Sequence, residues 1–257
     1  MPYVAKYDAA FWRETIGSSR HRRLMGTLQR LVENQEQRVT LRLTDSLAEH
    51  EVLESLLEDS KPSAGAHPRI EKLDYLLRTP WRYPPLPWGS RFGRRFEPGL
   101  FYGALSKTSL FAEAAYYRFL FIAGMKKPFS DRVISQFTVY KATYQSSKGF
   151  DLSRSPFSVH EKALRHPSQY APCQQLGSVL RERDTEAVVY LSARTRERAF
   201  NIALFSPFAL RSRKHRDPRQ GLCEAGQHNV SFRVGDELCE YQRSDFTIAG
   251  RLPLPAE

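Results

Sequence analysis

The sequence predicts an α+β domain behind a helical N-terminal segment, and three observations carry that reading. Strand-like alternation of apolar and polar residues recurs in RVISQFTVYKATY (132–144), in EAVVYLS (186–192) and in NIALFSPFAL (201–210). Helical spacing is confined to the first sixty residues and to the stretch around Glu113. Strands and helices do not alternate regularly, which speaks against a doubly wound parallel sheet.

From Phe11 to about Ser60 the chain lacks proline and places apolar residues at Leu24, Leu28, Leu31 and Val32, then at Leu53, Leu56 and Leu57. That spacing predicts two helices meeting near 44–46, where Ser46 followed by Glu49 has the capping-box pattern. KPSAGAHP (61–68) reads as the connector that ends this unit, so the expected organisation is a helical extension over 1–66 and the main domain over 67–257. TPWRYPPLPWGS (79–90) carries four prolines within nine residues and reads as irregular and extended. LFYGA (100–104) is a short strand, followed by a helix capped by Ser106 or Thr108 that runs through Glu113 to about Ile122. In the tail, RSRKHRDPRQ (211–220) reads as an exposed loop before two or three short strands.

At 41% hydrophobic and 12% aromatic residues, the 257-residue chain has a globular composition. Its N-terminus lacks a basic segment followed by an apolar one, and its longest apolar run, FLFIAGM from Phe119, is far too short for a membrane span, so a cytoplasmic protein is expected. Cys173, Cys223 and Cys239 are odd in number and include no CxxC pair, which argues against a disulfide framework and against a metal site. Residues 1–66 hold 9 Lys+Arg against 10 Asp+Glu, leaving 30 against 18 in the remainder, so the whole excess of the +11 net charge lies in the main domain. A surface of that sign attracts anions without choosing among them.

The residues that point to chemistry are Arg91, Tyr102, Glu113 and Ser192. A guanidinium grips phosphate oxygens with two parallel donors, a geometry lysine lacks, and Arg91 follows Gly89-Ser90 in a segment able to turn tightly. Arg82 is a second candidate for the same anion. Glu113, among Phe111, Ala112, Ala114 and Ala115, is costly to desolvate without a partner. It reads either as a solvent-facing glutamate paired with a neighbour such as Arg118, or as a carboxylate that binds a ribose and stabilises an oxocarbenium-like transition state. Phe101 and Tyr102 point to opposite faces of their strand, so one faces the core and the other a cleft. Ser192 has neither a GxSxG elbow nor a His-Asp pair beside it and makes better sense as a brace for Arg91 or Glu113 than as a nucleophile.

GSRF, GLFYGALSKTSLFAE, EAVVYLSAR and NIALFSPFAL, in that order and spacing, resemble the RES-domain family, named for its arginine, glutamate and serine. The resemblance spans most of the chain. It implies a fold similar to ADP-ribosyltransferases, with a mixed sheet and flanking helices, and a toxin of a bacterial toxin–antitoxin pair. Such toxins consume NAD+ as substrate by cleaving the nicotinamide–ribose bond, as glycohydrolase or phosphorylase, with protein ADP-ribosylation as the alternative. On this sequence the family arginine, glutamate and serine fall on Arg91, Glu113 and Ser192, and Tyr102 takes the position facing the nicotinamide ribose. A further arginine ahead of the motif falls on Arg82, with Arg78 as substitute. The implied partner is an Xre-like helix-turn-helix antitoxin, and the N-terminal helices are available for docking it or for forming a homodimer within the complex. The chain departs from the shorter members in reading SRF followed by Gly93, and in having Leu191 where a proline often precedes the serine.

A non-catalytic nucleic-acid-binding protein is the competing class, prompted by the pI of about 9.7 and by the basic run at 211–220. Its basic residues are scattered, and the densest run is broken by Asp217-Pro218, so direct nucleic-acid binding is not expected.

Overall fold

The computed structural model describes residues 6–17, 19–33, 44–60, 68–83, 85–127 and 132–255. Helix α1 (Ala9–Gly17) precedes strand β1 (Arg22–Glu33), and helices α2 (Leu47–Ser60), α3 (Pro68–Glu71) and α4 (Tyr75–Arg82) lead to strand β2 (Phe101–Ala104) and helix α5 (Lys107–Ala123). After these come the long strand β3 (Val133–Asp151), helices α6 (Glu161–Leu164) and α7 (Ala171–Glu182), and strands β4 (Ala187–Leu191), β5 (Phe200–Leu204), β6 (Arg216–Ala225), β7 (Asn229–Val234) and β8 (Glu237–Gln242). Among the described residues the strands form one mixed sheet in the order β1-β2-β5-β4-β3-β6-β7-β8, with β1 also paired to β3. The chain is therefore α+β, as its pattern predicts.

The pairing of β1 shapes the molecule. It runs antiparallel to β3 from Arg22↔Gly149 to Glu33↔Phe137, yet it meets β2 at a single register pair, Gln29↔Ala104. The ring of strands β1, β3, β4, β5 and β2 closes through that one pair, and beyond it β1 and β2 part.

Three elements differ from the sequence expectation. Leu24, Leu28, Leu31 and Val32 lie on β1 and not on a helix. Their spacing fits a period of 3.6, but Leu24, Leu28 and Val32 also share one parity, and they pack together with Phe101 and Tyr140 while Leu31 packs on the opposite side with the α5 core. The long ladder to β3 decides between the two periods. The proline-rich segment is entered by a helix, since α4 extends through Thr79, Pro80, Trp81 and Arg82. Pro80 has no N–H to offer the Leu76 carbonyl one turn back, and the Tyr140 hydroxyl donates to that carbonyl instead, at 3.0 Å. Finally, the run at 211–220 is a loop only up to His215; from Arg216 it is β6. Pro218 is tolerated there because the β3–β6 register shifts between Val139 and Lys141, where no ladder N–H is required. Asp217 in the same run makes ion pairs with Lys141 and Arg219. The connector expected at 61–68 lies almost wholly outside the described residues, its last residue, Pro68, opening α3.

Two helices deliver the site. α5 is capped by Ser106, whose hydroxyl accepts the Ser109 N–H at 3.2 Å, and it buries Phe111, Ala115 and Phe119 against Phe137, Phe232 and Phe246. α7 is covered by α1, whose buried Trp12 donates its indole N–H to the Pro172 carbonyl at 2.9 Å. The cysteines are free thiols, with Cys173 and Cys223 buried. Among the described residues no helix is long and apolar enough to cross a membrane, and no group of His, Cys, Asp or Glu could hold a metal ion.

Tyr140→Phe keeps the ring packing and removes the donor that replaces the missing Pro80 N–H. We expect a loss of about 1–2 kcal/mol, read as a lower urea midpoint at unchanged m-value; an unchanged midpoint would show that Leu76 needs no such donor.

Candidate active site

Arg91 sits in a tight turn in which the Ser90 N–H donates to the Gly93 carbonyl at 2.7 Å. Three contacts fix that turn. The Tyr102 hydroxyl accepts the Phe92 N–H at 3.0 Å and pairs with the Ser90 hydroxyl at 2.9 Å. The Gln174 amide of α7 donates to the Trp88 and Ser90 carbonyls at 2.9 and 3.1 Å. Gly177 lets the Phe92 carbonyl lie so near α7 that a Cβ there would meet it at 2.0 Å. Gly89, with φ of +76°, supplies the left-handed residue that starts the turn. Burial pushes the Tyr102 hydroxyl up to about 12, so it stays protonated and keeps its donor.

The Arg91 guanidinium is buried, donates through Nη1 to the Leu164 and His166 carbonyls at 3.2 and 3.0 Å, and lies 4.6 Å from the centre of the Tyr170 ring. Burial opposes its charge, but Tyr170, Cys173, Glu113 and Tyr190 together outweigh that and hold it charged more firmly than an ordinary arginine.

Glu113, on α5, is the centre of a second cluster. Its Oε1 accepts from the Ser192 hydroxyl at 2.7 Å and from the Asn201 amide at 2.9 Å, and its Oε2 lies 3.9 Å from Arg194 Nε. Ser192, fully buried at the end of β4, has its hydroxyl engaged on both sides, because it also accepts the Arg194 N–H at 3.1 Å. It braces Glu113, one of the two partners expected for it, and makes no hydrogen bond to Arg91. Asn201 comes from β5, where it is the register partner of Tyr190. Its Oδ1 is buried and, among the described residues, has no hydrogen-bond partner.

The two clusters are joined by Tyr170 and Arg194. The buried Arg194 guanidinium lies 3.4 Å from the centre of the Tyr116 ring and donates to the Tyr170 hydroxyl at 2.8 Å, while the Tyr170 ring carries Arg91. The loop that follows Ser192 is held by Arg165, which donates to the Ser192 carbonyl at 2.7 Å and to the carbonyls of Thr195 and Glu197.

A cavity of about 610 Å³, in the size range of small-molecule sites, brings these groups together. Arg91, Tyr102, Glu113, Tyr170 and Asn201 line it, as do Gln29, Arg30, Leu31 and Glu33 of β1, so it opens where β1 and β2 part. Phe101 is buried behind Tyr102 in the core, the division of faces that the strand pattern predicts. Arg78 and Arg82 lie on α4 and are not among the lining residues. Arg30 is, and its Nη1 donates to the Tyr102 carbonyl at 3.0 Å. Sequence reasoning missed Arg30, Tyr170, Arg194 and Asn201. Asn201 alone had a signal, as a polar residue opening an apolar strand next to the one that ends in Ser192.

Two outcomes follow from this geometry. Gly177→Ala drives a methyl group into the Phe92 carbonyl and should cost about 1–3 kcal/mol, read as a lower urea midpoint; a variant of normal stability would mean the turn has room to move. His166 is lowered chiefly by burial and then by Arg91 and Lys162, and its Nδ1 accepts the Gln169 N–H at 2.9 Å. The unfolded chain therefore binds the proton more tightly, so this contribution is complete above about pH 6.5 and is lost as pH falls through the lowered folded value. Denaturant midpoints should fall from pH 7.5 to 5.5, by less in His166→Asn; an equal fall in both would remove His166 from the account.

No curated protein matches the chain in sequence. Among solved structures, the M. tuberculosis MbcT-MbcA toxin-antitoxin complex aligns over 91% of this chain and 93% of that one at 10% sequence identity, with a TM-score of 0.44. The RES domain model matches residues 67–227, a span that holds Arg91, Tyr102, Glu113, Ser192 and Asn201. By that match over more than half of its length, the chain belongs to the RES domain family.

Proposed function

We propose that this protein cleaves NAD+ at the nicotinamide–ribose bond, as the toxin of a toxin–antitoxin pair. The observation that carries the reading is the Glu113 carboxylate, fixed by Ser192 and Asn201 on the wall of the same cavity that Arg91, Arg30 and Tyr102 line. Membership of the RES domain family supports the toxin role, and the family resemblance implies an Xre-like antitoxin as the partner.

The chemistry follows from the charges. The bond between the ribose anomeric carbon and the nicotinamide nitrogen breaks with its electron pair going to nitrogen, so the cationic ring leaves as neutral nicotinamide and needs no general acid. Positive charge appears on the ribose, where a fixed carboxylate lowers the barrier because its dipolar surroundings are already arranged. Glu113 holds a ribose hydroxyl and faces that charge. Ser192 keeps Glu113 in place and stays a donor throughout. The unpartnered Asn201 Oδ1 accepts a ribose hydroxyl or the nicotinamide amide. Water then forms the new bond to the anomeric carbon and loses a proton, giving ADP-ribose; phosphate at the same carbon gives the phosphorolysis product, and a protein side chain gives ADP-ribosylation.

Arg91 and Arg30 hold the pyrophosphate, with Arg30 taking the role that the family resemblance gives to Arg82, or to Arg78 as substitute. A carboxylate felt mainly in the transition state and arginines felt in both states separate in kinetics. Glu113→Ala should lower kcat by about 100-fold or more with little change in KM, a loss of the size seen when a fixed charge-stabilising group is removed, whereas Arg91→Ala should act mainly on KM. Ser192→Ala should fall between wild type and Glu113→Ala in kcat. NAD+ consumption by antitoxin-free protein, with products separated in the presence and absence of phosphate, checks all three; equal losses of kcat and affinity in both the Glu113 and Arg91 variants would sink the division of roles, and no NAD+ loss in wild type would sink the activity.

A further inference from the structure

We propose that the far end of the cavity is a purine subsite, in which Tyr117 and Phe121 of α5, with Met125 just past its end, receive the adenine ring and make the protein select the dinucleotide over its nicotinamide half. This rests on the cleavage reading above and adds to it a specificity element outside the reacting centre.

Glu113, Tyr117 and Phe121 recur every four residues, so they stand in one row along α5; Met125 follows just past the Gly124 cap, and all four line the cavity. At 1.5 Å per residue the row extends about 12 Å along the helix from Glu113 to Phe121, a distance that suits an extended dinucleotide laid from its reacting ribose to its second base. The other side of the same helix, with Tyr116 and Phe119, is fully packed in the core. Tyr117 at 48% and Phe121 at 63% exposure are therefore not residues for which the core lacked room. They present flat apolar faces to an open space, as a stacked ring requires.

The opposite wall repeats the order of charges that the ligand needs. β1 runs alongside α5, with Arg30 beside Tyr102 near the reacting end and Glu33 beside Arg118 further on, at 3.0 Å. Passing from Glu113 outward, the ligand would meet a carboxylate for the first ribose, a cation for the pyrophosphate, then an aromatic ledge with a second carboxylate. Held by Arg118, Glu33 is an acceptor fixed in orientation, suited to the second ribose hydroxyls or to the adenine amino group. Arg30 and Glu33 both precede residue 67, so this wall lies outside the span matched by the family model.

The experiment compares NAD+ with nicotinamide mononucleotide, which has the same scissile bond and no adenylate, as substrates for wild type, Phe121→Ala and Phe121→Trp. Phe121 is largely exposed, so its truncation leaves the core intact. The expected result is an increase of about tenfold in KM for NAD+ in Phe121→Ala, the scale of one lost base–aromatic stack, with kcat retained, mononucleotide kinetics within twofold of wild type, and recovery in Phe121→Trp. Equal effects on the two substrates, or none on NAD+, overturn the subsite and leave the ledge to another occupant such as an apolar partner segment. Calorimetric titration with ADP-ribose separates this from failure of the parent reading. If wild type turns over neither substrate yet binds ADP-ribose about tenfold more tightly than Phe121→Ala does, cleavage is wrong and the subsite stands; equal binding by both, or binding by neither, overturns the subsite itself.

Discussion

The arrangement depends first on satisfying one carboxylate. Glu113 projects from a helix whose neighbouring side chains are largely apolar and buried, and a charge in that setting is tolerated only when hydrogen bonds replace the water it loses. Both donors to Oε1 come from the sheet: Ser192 from the end of β4 and Asn201 from β5. The register Tyr190↔Asn201, together with the Ser192 N–H to the Ala199 carbonyl at 2.8 Å, sets the two on the face that α5 covers. A slip of one residue in that ladder would put the two side chains on opposite faces of the sheet and take one donor from the carboxylate. The pairing of two short central strands and the placement of a reactive group are therefore the same constraint.

The second wall is built on different terms. The Arg91 turn belongs to no strand or helix and owes its shape to side chains that reach it from elsewhere, Tyr102 from β2 and Gln174 from α7, and to the space Gly177 leaves for the Phe92 carbonyl. The Tyr102 hydroxyl is spent on that turn, so what this residue can offer a ligand is its ring. Tyr170 and Arg194 connect the two walls: removing Tyr170 leaves Arg91 without its ring and Arg194 without its hydroxyl acceptor, and removing Arg194 leaves the Tyr170 hydroxyl without its donor, losses that in a buried network exceed the value of one hydrogen bond.

How much of this could be read from the sequence depends on distance along the chain. Arg91, Tyr102 and Glu113 lie close together in sequence, and local pattern was enough to find the strand, the helix, a cap at Ser106 or Thr108 and the opposite facing of Phe101 and Tyr102, though not which of the two meets the cleft. Ser192 was legible as a brace because the groups a nucleophile needs were missing around it. The failures share one cause. The helix expected through Leu24–Leu28–Val32 and the loop expected through Arg216–Gln220 are both strands whose partner is β3, more than seventy residues away. Neither has strong alternation of its own, so the ladder that fixes them leaves no local trace. Arg30 was hidden for the same reason, and Arg194 because its partners Tyr116 and Glu113 are also remote, while Arg78 and Arg82 came forward through the family's arginine ahead of a turn whose other contacts are remote.

That long pairing also explains why a cavity exists. A strand that hydrogen-bonds along most of its length to β3 cannot follow β2 as well when the sheet twists, and β1 keeps only the Gln29↔Ala104 pair. Departure of a neighbouring strand leaves main-chain groups exposed, and an unpaired carbonyl in a half-buried cleft is costly. The Tyr102 carbonyl is met there by the Arg30 side chain, whose guanidinium also lies 4.7 Å from the centre of the Phe101 ring. One residue thus closes the gap in the sheet and places a cation on the wall of the cleft. Because the opening and its positive lining arise together from the path of β1, residues ahead of the matched domain are structural parts of the site and not an attachment to it.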